Sequence, residues 1–261
     1  MRFGVCCGID DEEKVKIAVE CGYDYIESGF QMFANAAEEQ LAEWEEREKK
    51  YGIFCESTNC FLPNALKVTG NDVDYEAVRE FVARGMKNSA RMGVKTVVFG
   101  SSGARNIPEG FSYAKAVSQM GYFLREIAAP EAEKYGITVV TEPLQKAETN
   151  MINTVKEGVM LAVLAGKDNV KGLADLFHME QCGDTAADIR FLAGSIHHAH
   201  ISNPVGRNGI KRIYPASADE FDYKSFIDAL EEGGCERCSI EAGVTDFAVE
   251  APRAIKVLRS L

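Results

Sequence analysis

The chain has 261 residues, with 29 Lys plus Arg against 40 Asp plus Glu and a formal net charge of -11. That balance disfavours phosphate backbones and anionic lipid, so nucleic acid and membrane surfaces are not expected partners. The N-terminal stretch MRFGVCCGIDDEEKVK is too polar for a signal peptide and no run of about 18 apolar residues follows, which leads to the expectation of a soluble, cytosolic protein.

From the N-terminus, strand-length apolar runs occur at 2–7 (RFGVCC), 23–28 (YDYIES), 53–59 (IFCESTN), 96–102 (TVVFGSS), 137–144 (ITVVTEPL), 170–178 (VKGLADLFH), 196–202 (IHHAHIS) and 238–243 (CSIEAG). Segments with helical spacing lie between or after them, at 11–22, 38–52, 75–93, 113–136, 226–234 and 250–261, and several close on glycine. Strands alternating with helices imply parallel pairing through right-handed crossovers. Eight such units in 261 residues match a single (β/α)8 TIM barrel, α/β in class, spanning 1–261 as one domain. An open doubly wound sheet is the competitor, but CCGIDDEEK after the first strand contains no GxGxxG. The charged run EEQLAEWEEREKK reads as a solvated helix face.

Eight cysteines in a chain of this length read as reduced, mostly buried thiols, since disulfide frameworks belong to short secreted domains. Cys235 and Cys238 form the one CxxC, and without a second such pair a metal or redox role is not expected of them. Of the adjacent Cys6 and Cys7, one is expected to pack in the core and the other to stand at a pocket wall.

The active site of such a barrel lies at the C-terminal ends of its strands, so polar residues there carry the functional information. Strand five runs into Glu142 and Pro143, strand six contains Asp175, strand seven carries His198 and His200 on one face by parity, and strand eight carries Glu241. Taken singly, Glu142 could be a salt-bridge partner, Asp175 a helix cap and His200 a hydrogen-bonded core histidine. Four such residues on consecutive strands, each flanked by apolar sequence, are more economically explained by one shared cation, because each uncompensated buried charge costs several kcal/mol. A mostly oxygen site with one nitrogen suits Mn²⁺ first, with Mg²⁺, Co²⁺ and Zn²⁺ as alternatives.

In this order and spacing the elements TEPLQKAETNMINT (141–154), LADLFHM (173–179), HAHIS (198–202) and SIEAG (239–243) resemble the xylose isomerase-like barrel superfamily of sugar isomerases and epimerases. Within it they resemble most the D-tagatose and D-psicose 3-epimerase branch, and VVFGSSGARNIPEGF (97–111) is similar to the strand-four region of uncharacterised relatives. The resemblance implies Glu142, Asp175, His200 and Glu241 as metal ligands, with Glu142 and Glu241 doubling as the catalytic acid and base on opposite faces of the sugar. It implies Glu148 and His178 as holders of the C1 and C2 oxygens, an arginine after strand seven, for which Arg207 is the candidate, on the substrate, and self-association as a dimer or tetramer.

The chemistry expected of such a site is proton transfer through a metal-stabilised enediolate, since the proton beside a ketone is a weak acid. Return of the proton to C3 from the other face makes a ketose 3-epimerase. Return to the neighbouring carbon makes an aldose–ketose isomerase, including the hydroxypyruvate isomerase type, and a lyase on oxidised glycosides would use the same groups. A sugar-binding protein would need no base at each face, and a nuclease of the same superfamily would need a basic surface. His198 is expected either to align a ligand or to pack beneath the metal. The alternative for His178 is a backbone hydrogen bond, and for Glu148 a charge at a helix start. Phe30, Phe61 and Phe111 are candidates for an apolar wall, though packing is the simpler role for each.

Overall fold

A computed structural model describes residues 1–206 and 212–261. Among these, eight strands follow one another as β1 Arg2–Cys6, β2 Tyr25–Gly29, β3 Cys55–Asn59, β4 Thr96–Phe99, β5 Thr138–Thr141, β6 Val170–Asp175, β7 Ile196–Ile201 and β8 Arg237–Ile240. All neighbours pair in parallel, and β8 closes on β1 with Val5 opposite Ile240, giving the (β/α)8 barrel.

The strands form where they do because β-branched residues and their apolar neighbours face two covered surfaces. Outward residues such as Val5, Ile26, Val97, Phe99 and Val139 pack in the large core under the helices, whereas Val98, Val140 and Leu173 form a separate apolar cluster inside the barrel. Helices supply the other half of the outer core. The helix Tyr75–Arg91 buries Val78, Phe81, Val82 and Met86 along one stripe, and Asp74 caps its start by accepting from the amides of Glu76 and Ala77. Full burial of a side chain of this size stabilises by roughly 1.5–3 kcal/mol.

Some helical stretches differ in detail from their sequence pattern, among them the one expected at 226–234, which runs Tyr223–Glu232 with Asp222 as its cap. Residues 113–136 contain an α-helix, Tyr113–Phe123, a wide π turn, Leu124–Ala128, and a short α-helix, Ala129–Glu133. Pro130 has no amide hydrogen for the carbonyl of Glu126, and Arg79 Nη1 donates to that carbonyl at 2.8 Å instead. The last helix begins earlier than its periodicity indicates, at Phe247, because the Asp246 side chain accepts from Ala248 N.

Candidate metal and active site

Side chains inside the barrel alternate with a period of two, and the next inward residue beyond each interior position reaches the mouth. Val98 is thus followed by Gly100, Val140 by Glu142, Leu173 by Asp175, His198 by His200 and Ser239 by Glu241. Glu142, Asp175, His200 and Glu241 come together there, each with one ligand-type atom within 4.8 Å of the others.

Each of the four is held by its strand end. The amide of Glu142 donates to Phe99 O at 3.1 Å, its carbonyl accepts from buried Arg105 Nη1 at 2.8 Å, and Pro143 cannot extend the ladder. Gly100 makes room for this carboxylate, since a Cβ there would stand 2.1 Å from Glu142 Oε2. Asp175 is both helix cap and cluster member: Oδ1 accepts from His178 N at 3.1 Å, which leaves Oδ2 to meet Arg212 Nη1 at 2.9 Å. His200 Nδ1 lies 2.9 Å from Glu142 Oε1, 3.1 Å from Glu241 Oε2 and 3.6 Å from Asp175 Oδ2.

Burial and neighbouring charge act in opposite directions on these groups. Burial dominates at Glu142 and raises its carboxyl despite His200. At Asp175 burial is outweighed by His178, Arg212 and His200, and at Glu241 by His200 and Arg212, so both carboxyls are lowered. For His200, burial is outweighed by Glu27 and Glu241, which raises the imidazole well above its ordinary value. The Arg212 guanidinium, standing 2.8 Å from Glu241 Oε2, marks the space among the acids as one that favours positive charge.

The cluster opens into a cavity of about 230 Å³ with two unlike walls. Glu142, Glu148, His178, Arg212 and Glu241 form the charged and imidazole side, and Gln31, Asn59, Asn64, Ser101 and Ser102 face them with uncharged amides and hydroxyls. Cys60 and Ser101 on that rim hold positive φ angles of 51° and 29°, a strain more often found at functional sites than elsewhere. A larger hollow of about 470 Å³ lies away from the strand ends, among Tyr113, Val117, Met160 and Leu164, and its lining is almost wholly apolar.

The other expected residues fall as follows. His178 both makes a backbone hydrogen bond and lines the cavity; its Nδ1 accepts from Gln145 N at 3.1 Å, so Nε2 carries the proton. Glu148 sits in a turn, bound by Gln145 Nε2 at 2.7 Å, rather than at the start of the following helix, which Thr154 caps. His198 lies beneath the cluster, fully buried. Phe30 and Phe61 are wholly buried against each other, ring centroids 4.7 Å apart, and Phe111 lines a different cavity. Cys7 is buried in the core and Cys6 stands beside Glu27 and His200, while Cys235 and Cys238 are buried at the start of β8. Arg207 lies outside the described residues.

Two residues escaped the sequence pattern. Arg212, in the loop after β7, lines the cavity and meets Asp175 and Glu241. Glu27, 1 % exposed in the middle of β2, lies under His200, and its signal was a carboxylate inside an otherwise uncharged strand, on the same parity as Tyr25.

Barrel and site together define a (β/α)8 protein with a carboxylate–histidine cluster able to hold a metal ion at its C-terminal mouth. The chain belongs to the xylose isomerase-like TIM barrel family, whose model matches residues 15–261. It is 27% identical over 194 residues to the D-psicose 3-epimerase of Agrobacterium fabrum, an alignment covering 71% of this chain and 65% of that protein. A crystal structure of a D-psicose 3-epimerase in the presence of D-fructose superposes with a TM-score of 0.81 at 19% identity, covering 100% of this chain and 99% of the other. A 3-keto-D-glucoside 4-epimerase from E. coli also gives 0.81, at 18% identity and full coverage of both chains. Among the described residues, no helix is long and apolar enough to cross a membrane.

Proposed function

We propose that this protein is a cytosolic, metal-dependent isomerase of free sugars, acting as a ketose 3-epimerase with one divalent cation, manganese first, held by Glu142, Asp175, His200 and Glu241. The observation that carries this reading is the convergence of two carboxylates from separated strands, Glu142 after β5 and Glu241 after β8, on the single nitrogen His200 Nδ1. The names of the relatives support the epimerase class. Three carboxylates and one imidazole fit a hard or borderline divalent ion.

A bound cation would polarise a ketone oxygen and the hydroxyl next to it, making the proton between them more acidic. One carboxylate of the Glu142 and Glu241 pair takes the proton from C3, and the other returns a proton from the opposite face. His178 offers Nε2–H and Glu148 an acceptor to the oxygens at the C1 and C2 end. The amides and hydroxyls of Gln31, Asn59, Asn64, Ser101 and Ser102 suit the remaining hydroxyls. Among the described residues Arg212 is the one cation lining the cavity, and Asp175 and Glu241 already engage it, which favours an unphosphorylated sugar.

The test is incubation of the Mn²⁺-loaded protein in D₂O with a panel of free ketoses and aldoses, read by NMR. Deuterium at C3 together with the C3 epimer is the expected result. Aldose–ketose interconversion with label at C1 or C2 would make it an isomerase of the other type, and metal-loaded protein that exchanges no sugar proton would overturn the free-sugar reading. Self-association into a dimer or tetramer is supported by the exposed apolar face of the helices Tyr113–Phe123 and Val155–Ala165, where Met160 and Val163 are 70% and 73% exposed. Sedimentation that gives a monomer at all concentrations would remove that part.

A further inference from the structure

Beneath the cluster lies a buried polar group that none of the steps above uses. Glu27 Oε1 is 2.9 Å from His200 Nε2, and Oε2 is 2.9 Å from His198 Nε2 and accepts from Ser239 Oγ at 2.6 Å. Because the Ser239 hydroxyl gives its proton to Glu27, Tyr25 OH is the donor in its 3.0 Å bond to Ser239 Oγ. The strands of Glu27 and the two histidines are not neighbours: β1 and β8 lie between β2 and β7, so Glu27 reaches through the barrel interior.

A carboxylate in this position is expensive unless its donors answer it, and two imidazoles and a hydroxyl do so here. The arrangement also settles how His200 is turned. Once a cation displaces the Nδ1 proton, an imidazole that donates from Nε2 presents its Nδ1 lone pair on the other side, and that side faces Glu142, Asp175 and Glu241. Carboxylate oxygens and a nitrogen lone pair converging on one space are mutually satisfied by a cation between them.

We propose that Glu27 is a positioning residue of the metal centre: it holds His200 by Nε2 so that Nδ1 is the ligating nitrogen, and His198 and Ser239 in turn hold Glu27. This rests on the metal-centre reading given above. Carboxylates behind a ligating histidine fix its ring and tautomer and strengthen it as a ligand, and their loss costs roughly 10–100-fold in metal affinity. In Glu27→Gln one amide group must face two imidazole nitrogens and a hydroxyl with an N–H where an acceptor stood, so the ring is no longer held in one orientation.

The experiment is a calorimetric titration of metal-free wild type and Glu27→Gln with Mn²⁺, alongside ¹⁵N-histidine NMR of the wild type loaded with Zn²⁺. The expected results are a Kd raised roughly 10–100-fold in the variant, and a wild-type His200 that keeps its Nε2 proton while Nδ1 binds the ion. A variant that binds Mn²⁺ as tightly as a tightly binding wild type overturns the role of Glu27 alone. Ligation through Nε2 overturns it as well, without requiring the variant to fold. Wild-type protein that binds no divalent ion overturns the metal-centre reading, and this inference with it.

Discussion

The barrel interior has two unlike sides. On the β4–β6 side Val98, Val140 and Leu173 make a closed apolar cluster, while on the β2, β7 and β8 side Tyr25, Glu27, His198 and Ser239 form a hydrogen-bonded network, also buried. The first side stabilises simply by leaving water. The second exchanges hydrogen bonds to water for hydrogen bonds within the protein and so gains little by burial, and its return lies in orientation: it sets the direction of His200 in the layer above. Stability and alignment are therefore assigned to opposite walls of the same tube.

Four substitutions would break or sharpen this division. The largest effect is expected one layer higher, at Glu142, two residues beyond Val140. Glu142→Gln should lower C3 proton exchange by roughly 10²–10⁴-fold, the usual worth of a positioned acid or base, with far-UV circular dichroism unchanged. Leu173→Ala, on the apolar side, should cost about 2–5 kcal/mol in urea unfolding while the folded fraction keeps its Mn²⁺ affinity. A loss of metal affinity equal to that of a polar-side variant would show that the two sides are not separable.

Gly100→Ala tests the mouth above the apolar side, because the added methyl occupies the place of Glu142 Oε2. Misplacing a reacting group by about 1 Å costs on the order of 10²-fold, and that loss should appear in turnover with little change in fold. The smallest effect concerns the same residue type in a different burial. Burial would raise the Glu27 carboxyl, but His200 and His198 outweigh it and hold it well below the carboxylate range. Glu48, bonded to Cys55 N and near Glu45, is pushed by burial up to about 8. Native Glu48 therefore keeps its proton where the unfolded chain has lost it, so its contribution is complete below about pH 4.5 and disappears as pH rises through about 8. Unfolding measured across that window should show wild type losing stability relative to Glu48→Gln, and parallel profiles would refute the assignment.

Much of this was legible in the sequence, for identifiable reasons. Strands β4 to β7 show as compact apolar runs because they are covered on both faces, and a carboxylate or histidine ending such a run is conspicuous, which is how Glu142, Asp175, His200 and Glu241 stood out. Glu27 was hidden by the same logic, since YDYIES is read for its apolar content and nothing local tells that its carboxylate faces two histidines about 170 positions away. Arg212 was missed because spacing within a loop does not determine whether a basic residue in it returns to the mouth. The break near Pro130 was visible as a residue but not as a π turn, which depends on Arg79 arriving from another helix.

The two walls of the cavity come from separate lengths of chain: the amides and hydroxyls from residues 31–102, the charged groups from residues 142–241. A crossover in the helical stretch between them would exchange the amide and hydroxyl wall while leaving the carboxylate–histidine cluster whole. One carboxylate ties the two lengths together. Glu27 travels with the first segment and meets a histidine of the second, so a chimera that inherits another residue at that position would keep all four residues of the cluster and, by the inference above, carry a loosened centre.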